Sequence, residues 1–342
     1  MMRLPSFEFR APREVSAAAA LLAASPGDTL VLAGGTDLLP NMKRRQQTPR
    51  VLVSLRHIDE LRHVTAGDEA TTVVGAGVTL STLVANPDLR QTCTGLWQAA
   101  SQVATPHLRN MGTIGGNLCL DTRCTYYDQS AEWRKAIGYC MKKDGDTCWV
   151  ATSSPKCLAV SSTDTAPALM ALGARVRLVS AAGERTIAVE DLFHNDGMRY
   201  LTRRPDEILT EVIVPDQTGW TSRYWKVRRR GSFDFPTAAV AVAIRREATG
   251  AVMAARVALG AVSSRPLASS KAAGLLVGHL LTDDRIAAAA EAAYELAKPM
   301  DNTDFTLVWR KRMVRALVGY ALRDARGDDM RATRLAMARQ LF

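Results

Sequence analysis

"TPHLRNMGTIGGNL", Thr105 to Leu118, places Gly112, Thr113, Gly115, Gly116 and Asn117 within six consecutive positions. Glycine loses more conformational freedom on folding than any other residue, so this density is costly unless the backbone must approach something closely. An earlier stretch, "VLAGGTDLLP" from Val31 to Pro40, has the same chemistry: an apolar strand runs into Gly34 and Gly35, then Thr36 and Asp37. Paired glycines let N–H groups reach a phosphate with no Cβ in the way, and Thr36 adds a hydroxyl. Neither loop is the GxGxxG dinucleotide fingerprint or a P-loop, which needs GK[ST]. One strand ending in Gly-Gly reads as a turn. Two such loops in one chain, each preceded by apolar structure, point to a bound anionic cofactor.

Around these loops the chain reads as α+β. Its 342 residues suit two domains, and 47% hydrophobic with 23% charged residues is ordinary for a globular protein. "SAAAALLAAS" (Ser16 to Ser25) reads as a helix begun by a serine, and "RVLVSL" and "TTVVGAGVTL" as strands. "STLVANPDL" and "GLWQAASQVA" read as helices, "VRLVSAAGERTI" as a hairpin, and "EILTEVIVP" as a strand. Beyond "PDQTGW" a meander of strands packed by helices marks a second domain, ending in a basic helical tail fit for docking. No apolar run is long enough to span a membrane, and the start has no signal-peptide core, so a cytoplasmic location is expected. The net charge of +10 does not indicate nucleic acid, because no basic run is interleaved with stacking aromatics.

"AGGTDL", "GAGVTLSTL", "RNMGTIGGN", "DTAPALMALGARVRL" and "EILTEVIVP", in this order, resemble the FAD-binding subunits of the xanthine oxidase/carbon monoxide dehydrogenase family of molybdenum enzymes. The resemblance covers nearly the whole chain. It implies a PCMH-type FAD-binding domain of two subdomains over residues 1–218. A C-terminal α+β domain of the carbon monoxide dehydrogenase flavoprotein kind follows over 219–342. It also implies FAD with its pyrophosphate between the glycine loops, cradled by Leu32, Ala33, Gly34, Gly35, Thr36, Asp37 and Leu38 and by Thr113, Ile114, Gly115, Gly116 and Asn117. Asp164 matches a flavin-binding aspartate, Val103 a flavin-packing position, and Leu209 and Lys226 positions beside the isoalloxazine ring. From residue type alone, Asp164 reads as a helix N-cap and Lys226 as a solvated strand lysine.

Asn117 and Asp164 are separated by an insertion, and the stretch from Asp121 to Asp164 holds four of the six cysteines, Cys124, Cys140, Cys148 and Cys157, spaced C-x15-C-x7-C-x8-C. The spacing lacks both the CxxC knuckle of most zinc sites and the CxxCxxC run of small ferredoxins. Zinc, an iron–sulfur cluster and unliganded thiols all stay open on spacing alone, while disulfides are disfavoured in a reducing compartment. Cys119 reads as small apolar packing behind the flavin loop, and Cys93 as a buried thiol.

The insertion resembles that of the 4-hydroxybenzoyl-CoA reductase branch, which implies a [4Fe–4S] cluster on those four cysteines. The same resemblance implies a large subunit with the molybdenum cofactor, a small subunit with two [2Fe–2S] clusters and a dimer of heterotrimers. It further implies reduced ferredoxin as electron donor and reductive dehydroxylation of 4-hydroxybenzoyl-CoA on the partner subunit. Arg134, Lys135, Lys142 and Lys143 would then form a basic rim for an acidic ferredoxin. The alternative is an oxidative family member acting on a heterocycle or aldehyde. A zinc-stapled scaffold without enzymatic function is a third class. No residue on this chain is expected to be catalytic: the five histidines form no constellation, and no nucleophile elbow or HExxH occurs.

Overall fold

The computed structural model describes residues 3–231 and 233–339. Among these the strands form three sheets. The first is parallel: β1 (Glu8–Arg10) and β2 (Thr29–Leu32) both pair with the central β3 (Val51–Ser54). Its covering helix, Val15–Ala24, buries Val15, Ala18, Ala19 and Leu22, the i, i+3, i+4, i+7 stripe that faces a core. The helix starts one residue before Ser16. Its free N–H at Val15 donates to the Glu60 carboxylate at 2.7 Å, so a distant glutamate does the work expected of the serine.

The second sheet is antiparallel, in the order β4 (Val64–Ala66), β5 (Thr72–Gly75), β8 (Ile208–Val214), β6 (Arg175–Ser180) and β7 (Gly183–Ala188). The helices Leu80–Ala85, Thr94–Ser101 and Thr165–Leu172 pack around it in one apolar core with β5, β6 and β8. The hairpin β6–β7 turns at Ala181–Ala182 and enters β7 through Gly183, whose φ of +135° suits glycine.

The third sheet, β9 (Trp220–Val227), β10 (Ala238–Arg246), β11 (Val252–Gly260) and β12 (Leu267–Ala268), is an antiparallel meander. Residues Ala238 to Ile244 of β10 are buried on both faces, and the two faces carry different residues. Val240, Val242 and Ile244 pack on the helices Asp283–Leu296 and Leu307–Arg326. Ala239, Ala241 and Ala243 face the other way, with Tyr224, onto Ala99, Ala168 and Ala171 of the first domain. Lys226 shares the Tyr224 face of β9 by the alternation of a strand, and therefore points into the first domain. The basic segment from Leu307 is an integral core helix rather than a free docking element: Val314, Leu317, Val318, Ala321 and Leu322 are fully buried. No helix of the described residues is long and apolar enough to cross a membrane.

Candidate functional site

The end of β2 and the segment before Ile114 meet edge to edge. A Cβ on Gly34 would stand 1.9 Å from the Met111 carbonyl oxygen, so only glycine allows this contact. A cavity of about 270 Å³ opens along the seam. Ala33, Gly34, Gly35, Thr36, Asp37 and Leu38 line one side, Thr113, Gly115, Gly116 and Asn117 the other, with Val103 and Leu209 on the remaining walls. Leu32, Ile114, Asp164 and Lys226 lie off the wall. Leu32 is committed to the β2–β3 ladder, and Ile114 is fully buried in the core beneath. Sequence reading missed Tyr200, Arg203, Glu207 and Phe235, which also line the cavity and carry no glycine-like signature.

The two loops contribute differently. The N–H groups of Ile114, Gly115 and Gly116 are already donated to Val78 O, Ala76 O and the Thr113 hydroxyl at 3.0 Å each. This loop therefore supplies a smooth, Cβ-free wall. In the first loop, the N–H groups of Gly34, Gly35 and Thr36 have no acceptor among the described residues, so they are available to an anionic guest.

Asp164 and Lys226 form a buried ion pair at 2.8 Å, their side chains 3% and 1% exposed. Asp164 begins the helix Thr165–Leu172 without capping it through its side chain. Its carboxylate accepts instead from Tyr224 Oη at 2.7 Å and from Lys226 Nζ. The ammonium also donates to Gln102 O at 2.8 Å, one residue from Val103 on the cavity wall. Burial pushes the Lys226 pKa below its usual value, and the Asp164 charge opposes that shift. Both bland readings, N-cap and solvated lysine, are corrected by this pair. The pair braces the wall from behind.

Asn117 holds the ends of the insertion together. Its side-chain oxygen accepts from Thr163 Oγ1 at 2.9 Å, Thr165 Oγ1 at 2.7 Å and Thr165 N–H at 3.1 Å. Arg123 and Val160 pair by two backbone hydrogen bonds of 2.8 and 2.7 Å. Between these pins, Cys124, Cys140, Cys148 and Cys157 all line a second, small cavity. All four are free thiols and buried, and Tyr126, Tyr127, Met141, Trp149 and Val150 complete an apolar wall that also holds Lys142. Three of the cysteines open turns: Cys124 O accepts from Tyr127 N–H and Asp128 N–H, Cys140 O from Lys143 N–H, and Cys148 O from Ala151 N–H. Burial pushes the Cys124 thiol up to about 12 and Cys157 to about 11, with the neighbouring thiols adding to the rise. Among the described residues no three His, Cys, Asp or Glu side chains are grouped to hold a single metal ion. Cys119 stands apart on the first cavity's wall, its thiol raised by burial against the opposing charge of Arg203.

The expected basic rim does not exist as such. Arg134 is buried and donates to Arg44 O at 2.8 Å. The Lys142 side chain is 5% exposed and paired with Asp121 at 2.7 Å. Lys143 is half-buried and paired with Asp144, which leaves Lys135 as the exposed cation of the four. The insertion is too short to bury four cysteines without drawing some of its charged residues inward with them.

Residues 5–217 match the FAD binding domain in molybdopterin dehydrogenase, and residues 223–325 the CO dehydrogenase flavoprotein C-terminal domain. The chain belongs to the FAD-binding subunits of the molybdenum hydroxylases. It therefore binds FAD. Among similar subunits, the carbon monoxide dehydrogenase medium chain of Hydrogenophaga pseudoflava is 29% identical over 94% of this chain and 97% of its own. The nicotinate dehydrogenase FAD-subunit of Eubacterium barkeri is 27% identical over 92% of this chain and 94% of its own. The aldehyde oxidoreductase FAD-binding subunit of Escherichia coli is 30% identical over 89% and 95%. The solved carbon monoxide dehydrogenase of H. pseudoflava superimposes with a TM-score of 0.78 at 29% identity, covering 95% of this chain and 98% of that one. These FAD subunits share both domains with the present chain, and the fold of the family is the fold described above.

Proposed function

We propose that this chain is the electron-transfer FAD subunit of an oxidative molybdenum hydroxylase acting on an aldehyde or a heterocycle, and that Cys124, Cys140, Cys148 and Cys157 hold a [4Fe–4S] cluster. The observation that carries the first part is the cavity between the glycine loops, in a chain similar over 89–94% of its length to dehydrogenase and oxidoreductase subunits. The relatives favour substrate oxidation over the reductive branch. The convergence of four thiols on one pocket supports the second part. Thiolate is the ligand iron–sulfur clusters take, and the apolar wall excludes competing water.

FAD, when bound, supplies a centre that holds two electrons and exchanges them one at a time. The residues of this chain bind and shield it. Gly34 to Thr36 offer N–H donors to the pyrophosphate, Thr113 to Asn117 a wall without side-chain bulk, and Val103 and Leu209 apolar contact for the ring. Asp164 and Lys226 act from the second layer. Burial holds Cys124 and Cys157 as thiols, so cluster assembly must release their protons. The partners on this reading are a molybdenum large subunit and a small subunit with two [2Fe–2S] clusters, in a dimer of heterotrimers.

A second reading, the ferredoxin-fed reduction of 4-hydroxybenzoyl-CoA, is favoured by the cysteine insertion alone, and it has lost its basic rim. One experiment separates them. The purified complex is analysed for iron, zinc and flavin, then mixed anaerobically with an aromatic aldehyde or nicotinate, or with 4-hydroxybenzoyl-CoA and reduced ferredoxin. Bleaching of the flavin by the aldehyde or heterocycle is expected. Turnover of the thioester alone would transfer the chain to the reductive branch, and zinc in place of iron would reduce the insertion to a structural staple.

A further inference from the structure

The flavin cavity and the cysteine pocket lie on either side of a buried layer, and the ion pair of Asp121 and Lys142 stands in it. Asp121 lines the flavin cavity, Lys142 lines the cysteine pocket, and they meet at 2.7 Å. Their side chains are 4% and 5% exposed. Lys142 Nζ also donates to Thr122 Oγ1 and Gly197 O, each at 2.6 Å, so its three protons are all used and its position is fixed. Two aromatic rings flank the ammonium: Tyr127, from the cysteine pocket, at 4.8 Å, and Tyr200, from the flavin cavity, at 5.1 Å. Tyr127 Oη closes the layer by donating to Asp121 Oδ2 at 3.1 Å. Lys142 lines the same pocket as the four cysteines, which places its charge beside the sulfur set.

A buried charge is expensive unless it is paired and hydrogen-bonded, as Lys142 is here. Its placement is informative because a cluster held by four thiolates carries net negative charge, which grows by one on reduction. A fixed positive charge on the pocket wall favours the reduced state.

We infer that Lys142 is a potential-setting residue: held by Asp121, Thr122 and Gly197, it raises the potential at which the cysteine-bound centre accepts an electron, and so couples that centre to the flavin across the buried layer. The inference rests on the cluster reading above. Asp121 has the opposite effect and is closer to the flavin side, so the pair acts as an oriented dipole between the two centres.

The test is a redox titration of the whole complex, followed by EPR of the reduced cluster and by flavin absorbance, for wild type, Lys142→Met, Lys142→Arg and the double variant Lys142→Met/Asp121→Asn. Iron and FAD content are measured first in each. Lys142→Met is expected to keep its iron and to lower the reduced fraction of the cluster about tenfold at fixed poise, a shift of ~59 mV for one electron. The arginine variant keeps the charge and should stay near wild type. The double variant removes both charges and should move back toward wild type, which loss of packing would not do. An unchanged potential in an iron-loaded Lys142→Met complex overturns the inference and leaves the cluster reading standing. Wild-type complex that contains zinc or no iron overturns the cluster reading and the inference with it.

Discussion

At the scale of single residues, Gly34 and Gly116 separate two reasons for glycine that look identical in the sequence. A Cβ on Gly34 would strike backbone, the Met111 carbonyl at 1.9 Å, and backbone cannot yield locally. A Cβ on Gly116 would meet the Thr113 hydroxyl at 3.1 Å and then Ala33 at 3.9 Å across the cavity. Gly34→Ala should therefore fail to fold or lose flavin entirely. Gly116→Ala should fold at a cost of about 1–3 kcal/mol, typical of overpacking, and emerge with reduced flavin occupancy. Melting temperature and flavin-to-protein ratio measure both; a Gly34→Ala protein with full flavin would refute the close-contact argument. The glycines were legible because their chemistry is local. Asp164, Lys226 and Lys142 were not, because whether a charged residue is solvated or paired depends on what another part of the chain puts beside it. Only the register of β9 on β10 reveals that Lys226 faces Asp164.

At the scale of elements, the insertion is anchored by the C-terminal domain as much as by its own ends. Asn302 O accepts from Thr125 N–H at 2.9 Å and Asn302 Nδ2 donates to Leu158 O at 2.6 Å, so one residue grips the chain beside both Cys124 and Cys157. Arg310 fixes Asn302 in turn: this fully buried guanidinium donates to Met300 O, Asn302 Oδ1, Thr237 O and Ala261 O. Asn302→Ala should lower metal content and speed proteolytic cleavage between Cys124 and Cys157, while flavin content stays near wild type. Limited proteolysis with metal and flavin assays reads the two effects separately, and equal loss of both would mean that Asn302 supports the fold in general. Most strands and helices could be read from apolar patterning: β8 falls within "EILTEVIVP", and the alanine-rich helix falls at Asp283–Leu296. The insertion could not. It has little periodicity, and its order comes from turns opened by cysteines and from contacts far away in sequence.

At the scale of the whole molecule, the flavin cavity belongs to no single unit. The end of β2 supplies one wall, the helix at Ile114–Leu118 and β8 supply others, and Phe235 reaches in from the second domain. The domains are also joined by the alanine face of β10 against the helices at Thr94–Ser101 and Thr165–Leu172, an interface of small residues that brings backbones close. A ligand that binds only the folded state stabilises it by RT ln(1 + [L]/Kd), about 2.7 kcal/mol at a hundredfold excess over Kd. FAD should therefore raise the melting temperature of flavin-stripped protein with the logarithm of its concentration. Because no residue of the alanine interface lines the flavin cavity, the stripped chain should still unfold in one transition rather than domain by domain. Calorimetry across an FAD titration distinguishes the contributions. A transition that FAD does not move would place its site elsewhere. Two transitions that merge only on adding FAD would mean that the flavin, rather than the alanine interface, makes the two domains cooperative.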